Sequence, residues 1–140
     1  MSGKEKPSTS FVTKTVLIAD DSASMRLSVR FLLEGRHKEL VVSEAIDGLD
    51  VIEKAKSSRP DLILLDLAMP RLNGAESATL LRNDMPETPV ILFTMTDLQA
   101  DSLCAAIGVE FISKADGVSK LLERIDALLP PNAATQLGSV

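Results

Sequence analysis

The stretch Asp61-Leu-Ile-Leu-Leu-Asp66-Leu-Ala-Met-Pro-Arg-Leu-Asn-Gly74 decides the fold. Its four consecutive apolar residues, Leu62 to Leu65, predict a strand that is buried on both faces. The run ends on Asp66, which is followed by a Met-Pro turn and a glycine. In open α/β sheets ligands bind at the carboxyl ends of the strands, but an acid buried alone at such a place is costly. We therefore expect compensating groups at the same edge of the sheet.

Length and composition indicate one ordinary globular domain. The chain has 140 residues, 45% of them hydrophobic and 25% charged, which suits a single core. A net charge of −5, with no Lys/Arg cluster beyond the first residues, argues against direct nucleic-acid binding. Apolar runs no longer than a strand and the lack of a signal-peptide core argue against a membrane location and predict a cytoplasmic protein. The single Cys104 fits a reducing compartment and is predicted to be a buried packing residue.

Strand-like and helix-like segments alternate along the chain. The predicted strands are 16–19, 40–42, 62–65, 90–93 and 109–113, and helical patterns follow Ser22, Asp47, Gly74, Asp97 and Asp116. The second and fifth strands have the weaker apolar character of sheet edges. Five strand–helix units with short connections predict an α/β fold, a parallel sheet wrapped by helices on both faces.

Local signals predict how individual segments begin and pack. Asp21 or Ser22, and then Asp47, Asp97 and Asp116, are predicted helix caps. The predicted buried face of the first helix consists of Met25, Val29, Leu32 and Leu33. His37, near the end of that helix, is expected to have a surface role or to compensate the helix dipole. Residues 1–13 are predicted to be a flexible arm, 14–130 the folded domain, and 131–140 a tail or the start of a linker.

Polar residues at the strand ends form the candidate site. In a parallel sheet Asp20, Asp21, Asp66, Thr94 and Lys114 all fall on one rim. Three carboxylates brought together repel one another unless cations are present. Mg²⁺, which prefers carboxylate oxygens, and the Lys114 ammonium would both reduce this repulsion. An anion-stabilising set around a nucleophilic carboxylate is what formation of an aspartyl phosphate requires.

These motifs resemble those of the receiver domains of two-component response regulators, over roughly Thr15 to Leu129. The matching residues are Asp20-Asp21-Ser-Ala-Ser-Met25-Arg26, Asp66-Leu-Ala-Met-Pro-Arg-Leu-Asn-Gly74, Thr94 after an apolar strand, and Lys114 three positions beyond Phe111. Each motif is weak alone, but their order and their places at strand ends are specific. The resemblance implies a flavodoxin-like, doubly wound (βα)5 fold whose five parallel strands have the order 2-1-3-4-5.

The resemblance also implies roles for the site residues. Asp66 would accept a phosphoryl group from the phosphohistidine of a sensor histidine kinase or a histidine phosphotransfer protein. Mg²⁺ would be held by Asp21, Asp66 and the Ala68 backbone carbonyl, with support from Asp20. Lys114 would pair with the phosphoryl oxygens.

The resemblance also implies that two residues, Thr94 and Phe111, transmit the effect of phosphorylation to a partner. Thr94 would hydrogen-bond a phosphoryl oxygen, and Phe111 would follow it inward. This switch would alter the face made by the fourth helix, fifth strand and fifth helix, to which a downstream protein or output domain would dock. A phosphorylation-dependent dimer is also compatible with the resemblance.

Four positions depart from the common pattern of the family. Ala115 replaces the proline that often follows the lysine, and because a cis bond before a residue other than proline costs about 3 kcal/mol, a trans bond is predicted. Ala68 and Thr96 are small where family side chains influence the lifetime of the phosphoryl group. Phe111 lacks the hydroxyl of the frequent tyrosine.

Two other functions remain as alternatives. A phosphatase of the haloacid-dehalogenase type also uses an aspartyl nucleophile, but it expects a second acid two residues later, where this chain has Ala68. A flavodoxin-like flavin binder would share the architecture. The absence of Trp and Tyr, and of a phosphate-cradling Ser/Thr/Gly loop after the first strand, argues against it.

Overall fold

The structure is a computed structural model that describes residues 13–69, 71, 73–95 and 98–130. The predicted tail 131–140, all of the predicted arm except Thr13, the Asp97 cap and Thr96 lie outside the described residues. No helix in the described ranges combines the length and the apolar character needed to cross a bilayer.

Within the described residues, five strands and five helices alternate along the chain. The strands are β1 (Lys14–Ala19), β2 (Leu40–Ala45), β3 (Leu62–Leu65), β4 (Val90–Thr94) and β5 (Glu110–Ser113). The helices are α1 (Ala23–Arg36), α2 (Gly48–Ser58), α3 (Gly74–Asp84), α4 (Leu98–Ile107) and α5 (Val118–Leu128), with a 3₁₀ turn at Lys114–Asp116.

The strands form one parallel sheet in the order β2-β1-β3-β4-β5. This confirms the predicted fold class, the strand order and the two edge strands. Strand order reverses between β1 and β3, which puts the ligand crevice of such folds at their carboxyl ends. The residues that directly follow these two strands are therefore the first candidates for a site.

The central strand β3 divides the core into two apolar clusters. All four of its residues are buried. Leu62 and Leu64 belong to a cluster that packs α1 and α5 on one face, whereas Ile63 and Leu65 pack against α2, α3 and α4 on the other. Burial of each such side chain stabilises the fold by about 1.5–3 kcal/mol. The uninterrupted apolar run thus places Asp66 at the edge of a rigid layer.

Two of the predicted helix caps are confirmed and one is wrong. The Ser22 hydroxyl and the Asp47 carboxylate each accept a hydrogen bond from the backbone amide three residues later, at 3.2 Å and 2.8 Å. Asp116 does not cap α5, because it lies within the 3₁₀ turn and Gly117, with φ 86°, precedes the helix instead. An Asp followed by a glycine permits this extra turn.

One prediction about α1 is also wrong, and the surface alternative for His37 is excluded. Leu32 is 37% exposed, because the stripe of α1 that faces the sheet is narrow and is filled by Val29 and Leu33. His37 is buried, since its imidazole Nε2 lies 2.6 Å from Asp126 Oδ1 on α5. A polar partner allows the ring to be buried. Cys104 is buried on α4, as predicted.

Candidate functional site

Three carboxylates meet at the crevice between β1 and β3. Asp20 and Asp21 follow β1 and Asp66 follows β3, and each offers an oxygen within 4.8 Å of the other two. The register pairs the last residues of the two strands, and the Asp66 amide donates to the Ala19 carbonyl at 2.9 Å. Asp20 and Asp66 are buried whereas Asp21 is exposed. The predicted cluster of acids is therefore formed, with one side open to solvent.

Lys114 supplies the positive charge of this cluster. It directly follows β5, and its Nζ lies 2.8 Å from Asp20 Oδ2 and 3.2 Å from Asp66 Oδ2. Burial alone would lower the pKa of the ammonium, but the hydrogen bond to Asp20 and the charge of Asp66 outweigh it and raise the pKa above 10.5. The lysine is thus charged at neutral pH. One ammonium among three carboxylates leaves the cluster with excess negative charge.

Neutral donors orient the two buried carboxylates. The Thr94 hydroxyl donates to Asp66 Oδ1 at 2.8 Å, and the Ala68 amide donates to the same oxygen at 3.3 Å. The Ser22 amide donates to Asp20 Oδ1 at 2.9 Å. Each buried carboxylate thus has one oxygen held by neutral donors and the other by Lys114. All five predicted site side chains come together here.

The loop from β3 to α3 folds tightly against the end of β3. The Gly74 amide donates to the Leu67 carbonyl at 2.9 Å. A Cβ added at Gly74 would lie 2.4 Å from the Asp66 carbonyl oxygen, so only glycine fits there without a backbone shift. This close approach keeps Ala68, the predicted backbone ligand, on the rim next to the acids.

An arginine in the same loop was not anticipated from the sequence. Arg71 has a left-handed backbone, with φ 70°. Its Nε lies 3.0 Å from Asp47 Oδ2 and its Nη2 lies 3.3 Å from Asp47 Oδ1. The hydrogen bond from the Asp50 amide lowers the pKa of Asp47, and the ion pair with Arg71 lowers it further. The partners are 24 residues apart, so no local pattern could reveal the pair.

The second residue of the predicted switch lies beside the site on the edge strand. Phe111 is half-buried on β5, pairs in register with Leu92, and packs against the cluster on the α2, α3 and α4 face. Ser113, two residues further along β5, is paired in register with Thr94. The described residues contain no cis peptide bond, so the Lys114–Ala115 bond is trans as predicted.

The oxygen ligands of the site fit a small, hard divalent cation. Carboxylates are the ligands that Mg²⁺ takes in proteins, usually one or two of them with open positions left for water or phosphate oxygens. The three acids offer oxygens that all lie within 4.8 Å of one another, a grouping that could hold a metal ion, and the exposure of Asp21 leaves a path to it. Their excess negative charge favours such an ion electrostatically.

Comparison with known proteins assigns the chain to a family. Residues 16–126 match the model of the response regulator receiver domain. Among curated proteins, the protein-glutamate methylesterase/protein-glutamine glutaminase of Thermotoga maritima is 35% identical over 78% of this chain and 33% of its own length. A putative transcriptional regulator of Pseudomonas aeruginosa is 34% identical over 81% of this chain and 56% of its own. The chain thus spans about a third to a little over half of the length of such relatives.

Solved structures agree with this assignment. The response regulator domain of Thermotoga maritima CheB superposes with a TM-score of 0.74 at 28% identity, covering 86% of this chain and 99% of that one. Thermotoga maritima TrrA, in complex with Mg²⁺ and BeF, has a TM-score of 0.74 at 26% identity. The match covers 84% of this chain and 100% of that one. Neither the family model nor these relatives support the phosphatase or flavin-binding alternatives. The chain belongs to the family of response regulator receiver domains.

Proposed function

We propose that this receiver domain takes a phosphoryl group onto Asp66 from the phosphohistidine of a sensor histidine kinase or a histidine phosphotransfer protein. The observation that supports it best is the pairing of Lys114 with both buried acids, at 2.8 Å and 3.2 Å, in the crevice where strand order reverses. The Lys114 ammonium and the Thr94 hydroxyl compensate the buried charge of Asp66, and they would equally stabilise a phosphoryl group on it. They suit a carboxylate that becomes an acyl phosphate.

The chemistry follows from the groups around Asp66. An oxygen of its carboxylate attacks phosphorus, the P–N bond to the donor imidazole breaks, and the imidazole leaves with that electron pair. Asp21, Asp66 and the Ala68 carbonyl, with support from Asp20, would hold Mg²⁺, which would neutralise charge on the phosphoryl oxygens. The solved structure of the relative TrrA with Mg²⁺ and BeF supports a magnesium requirement. Lys114 would pair with the same oxygens from the other side.

Phosphorylation would change the partner of Thr94. Its hydroxyl now donates to Asp66 Oδ1, and a phosphoryl group adds about −1.5 to −2 charges and new acceptor oxygens at this position. The hydroxyl would move to one of these oxygens, and Phe111 would repack against the space it leaves. The altered α4–β5–α5 face would then contact a downstream protein or an output domain, or form a dimer.

We further propose that the receiver unit spans residues 14–130. β1 begins at Lys14 and α5 ends at Leu128, close to the proline pair at 130 and 131. In this proposal the output is exerted through a downstream protein or an output domain. The domain itself would act as a phosphoacceptor rather than as a turnover enzyme.

Labelling with a small phosphodonor tests the proposed function. Radiolabelled acetyl phosphate with Mg²⁺ should label the wild-type chain, and EDTA should abolish labelling. Asp66→Asn should take up no label. Asp84→Asn is the matched control, because Asp84 is an exposed carboxylate at the end of α3, and it should label like wild type. Equal labelling of Asp66→Asn and wild type would refute the assignment.

A further inference from the structure

The Arg71–Asp47 ion pair joins two loops on the rim that carries the acids. Asp47 caps α2 and is buried, whereas the Arg71 side chain is 59% exposed. Both carboxylate oxygens contact the guanidinium, at 3.0 Å and 3.3 Å. Because Asp47 also accepts the Asp50 amide at 2.8 Å, it is itself firmly oriented. The arginine is therefore tied to a fixed point on a neighbouring helix.

The backbone of Arg71 has an unfavourable conformation, which the surroundings of the residue must stabilise. A non-glycine residue with φ near 70° is in a sparsely populated region that persists only when the surroundings hold it. The ends of the loop are held by the Gly74–Leu67 hydrogen bond and by Met69, which is 7% exposed in the core. Arg71 lies between these two anchors. Its ion pair is the described side-chain contact that holds the middle of the loop.

We propose that Arg71 is a positioning residue whose ion pair with Asp47 holds the β3–α3 loop so that the Ala68 carbonyl faces the metal position beside Asp66. The inference rests on the proposed function, since it assigns the ordering of one ligand of that site. Arg71 itself contacts neither metal nor phosphoryl group in this account. It acts through the backbone three residues away.

The size of the effect follows from the exposure of the ion pair. Ion pairs in contact with solvent are weak, so loss of the contact should weaken Mg²⁺ binding by only about two- to fivefold. High salt screens such a pair, because the Debye length falls to about 3 Å at 1 M. The difference between wild type and a variant without the pair should therefore shrink as salt is raised.

Calorimetric titration with Mg²⁺ alone tests the proposal without any phosphorylation. Arg71→Asn removes the ion pair but keeps a residue that tolerates the left-handed backbone. Asp47→Asn removes the charge but keeps an α2 cap. Each variant should bind Mg²⁺ about two- to fivefold more weakly than wild type. The double variant should be no weaker than either single variant, because the same contact is lost in all three.

Arg59→Asn is the matched control. Arg59 is also an exposed arginine with positive φ, at 50°, and it ends α2 without a described ion pair. It should bind Mg²⁺ like wild type, and Arg71→Asn should keep the same thermal midpoint in EDTA as this control. Arg71→Asn that binds Mg²⁺ as tightly as wild type would overturn the positioning role. So would a double variant in which the two single losses of Mg²⁺ affinity add. A wild-type chain that binds no Mg²⁺ would overturn the proposed magnesium site together with this inference.

Discussion

Replacement of Lys114 by methionine should destabilise the protein, most strongly in the absence of divalent cations. Methionine keeps the length and apolar stem of the side chain but removes the ammonium that contacts Asp20 and Asp66 at 2.8 Å and 3.2 Å. The lysine side chain is only 13% exposed, and those of the two acids are 5% and 9% exposed. The substitution thus leaves two buried carboxylates without their shared cation.

The magnitude can be worked out in two ways. Removal of one partner from a buried ion pair costs about 3–5 kcal/mol. Independently, the two carboxylates offer oxygens within 4.8 Å of each other, and unit charges at or below that separation repel by at least about 3 kcal/mol at an effective dielectric constant near 20. Both routes give several kcal/mol, a large part of the about 5–15 kcal/mol that stabilises a typical domain.

Urea unfolding followed by far-UV circular dichroism measures the effect, since the chain has no Trp or Tyr for fluorescence. With a slope of about 1–3 kcal/mol/M, the midpoint in EDTA should fall by about 2 M. Mg²⁺ should narrow the gap to wild type, because the more negative cluster binds the ion more tightly and gains more stability from it.

Lys120→Met is the control for this measurement. Lys120 is 63% exposed and lies 3.7 Å from Asp116, so its loss should cost less than about 1 kcal/mol. If Lys114→Met in EDTA is as stable as Lys120→Met, the ammonium does not neutralise the acids, and the electrostatic account of the site is wrong.

Three further predictions concern the scaffold. Gly74→Ala should destabilise by about 1–3 kcal/mol because its Cβ would overlap the end of β3, whereas Gly35→Ala, with nothing within 4 Å, should be neutral or stabilising in thermal melts. The hydrogen bond from Arg26, with a second from another arginine, lowers the pKa of Glu44 below 4.5. Its contribution to stability is therefore complete above pH 4.5 and is lost as pH falls through the lowered value, so the advantage of wild type over Glu44→Gln should disappear in acid urea titrations. Leu33→Ala should lower the free energy of unfolding by about 2–5 kcal/mol in the same assay. A smaller decrease would show that neighbouring side chains move to fill the cavity.

The parts of the fold that depend on periodicity could be predicted from the sequence. The run Leu62 to Leu65 has no polar position, so only a strand covered on both faces accommodates it. Once the sheet is parallel, chain order alone brings Asp20, Asp66 and Lys114 to one rim. The meeting of these groups therefore followed from the topology, without knowledge of any side-chain contact.

Apart from the Asp116 cap, the wrong or missing predictions concern features that depend on distant parts of the chain. Nothing near His37 in the sequence indicates Asp126, which lies 89 residues away and makes its burial possible. Leu32 has the spacing of a core residue, but the width of the buried stripe depends on how α1 sits on the sheet. The Arg71–Asp47 pair joins two loops whose separation is set by the sheet.

Chemical mapping of the phosphoryl group tests the central claim most directly. The chain is phosphorylated with acetyl phosphate and Mg²⁺, the acyl phosphate is reduced with borohydride, and the peptides are sequenced by mass spectrometry. We predict homoserine in place of Asp66 and at no other acid. A phosphoryl group found on a hydroxyl such as that of Thr94, or homoserine at Asp20 or Asp21 with Asp66 intact, would contradict the account.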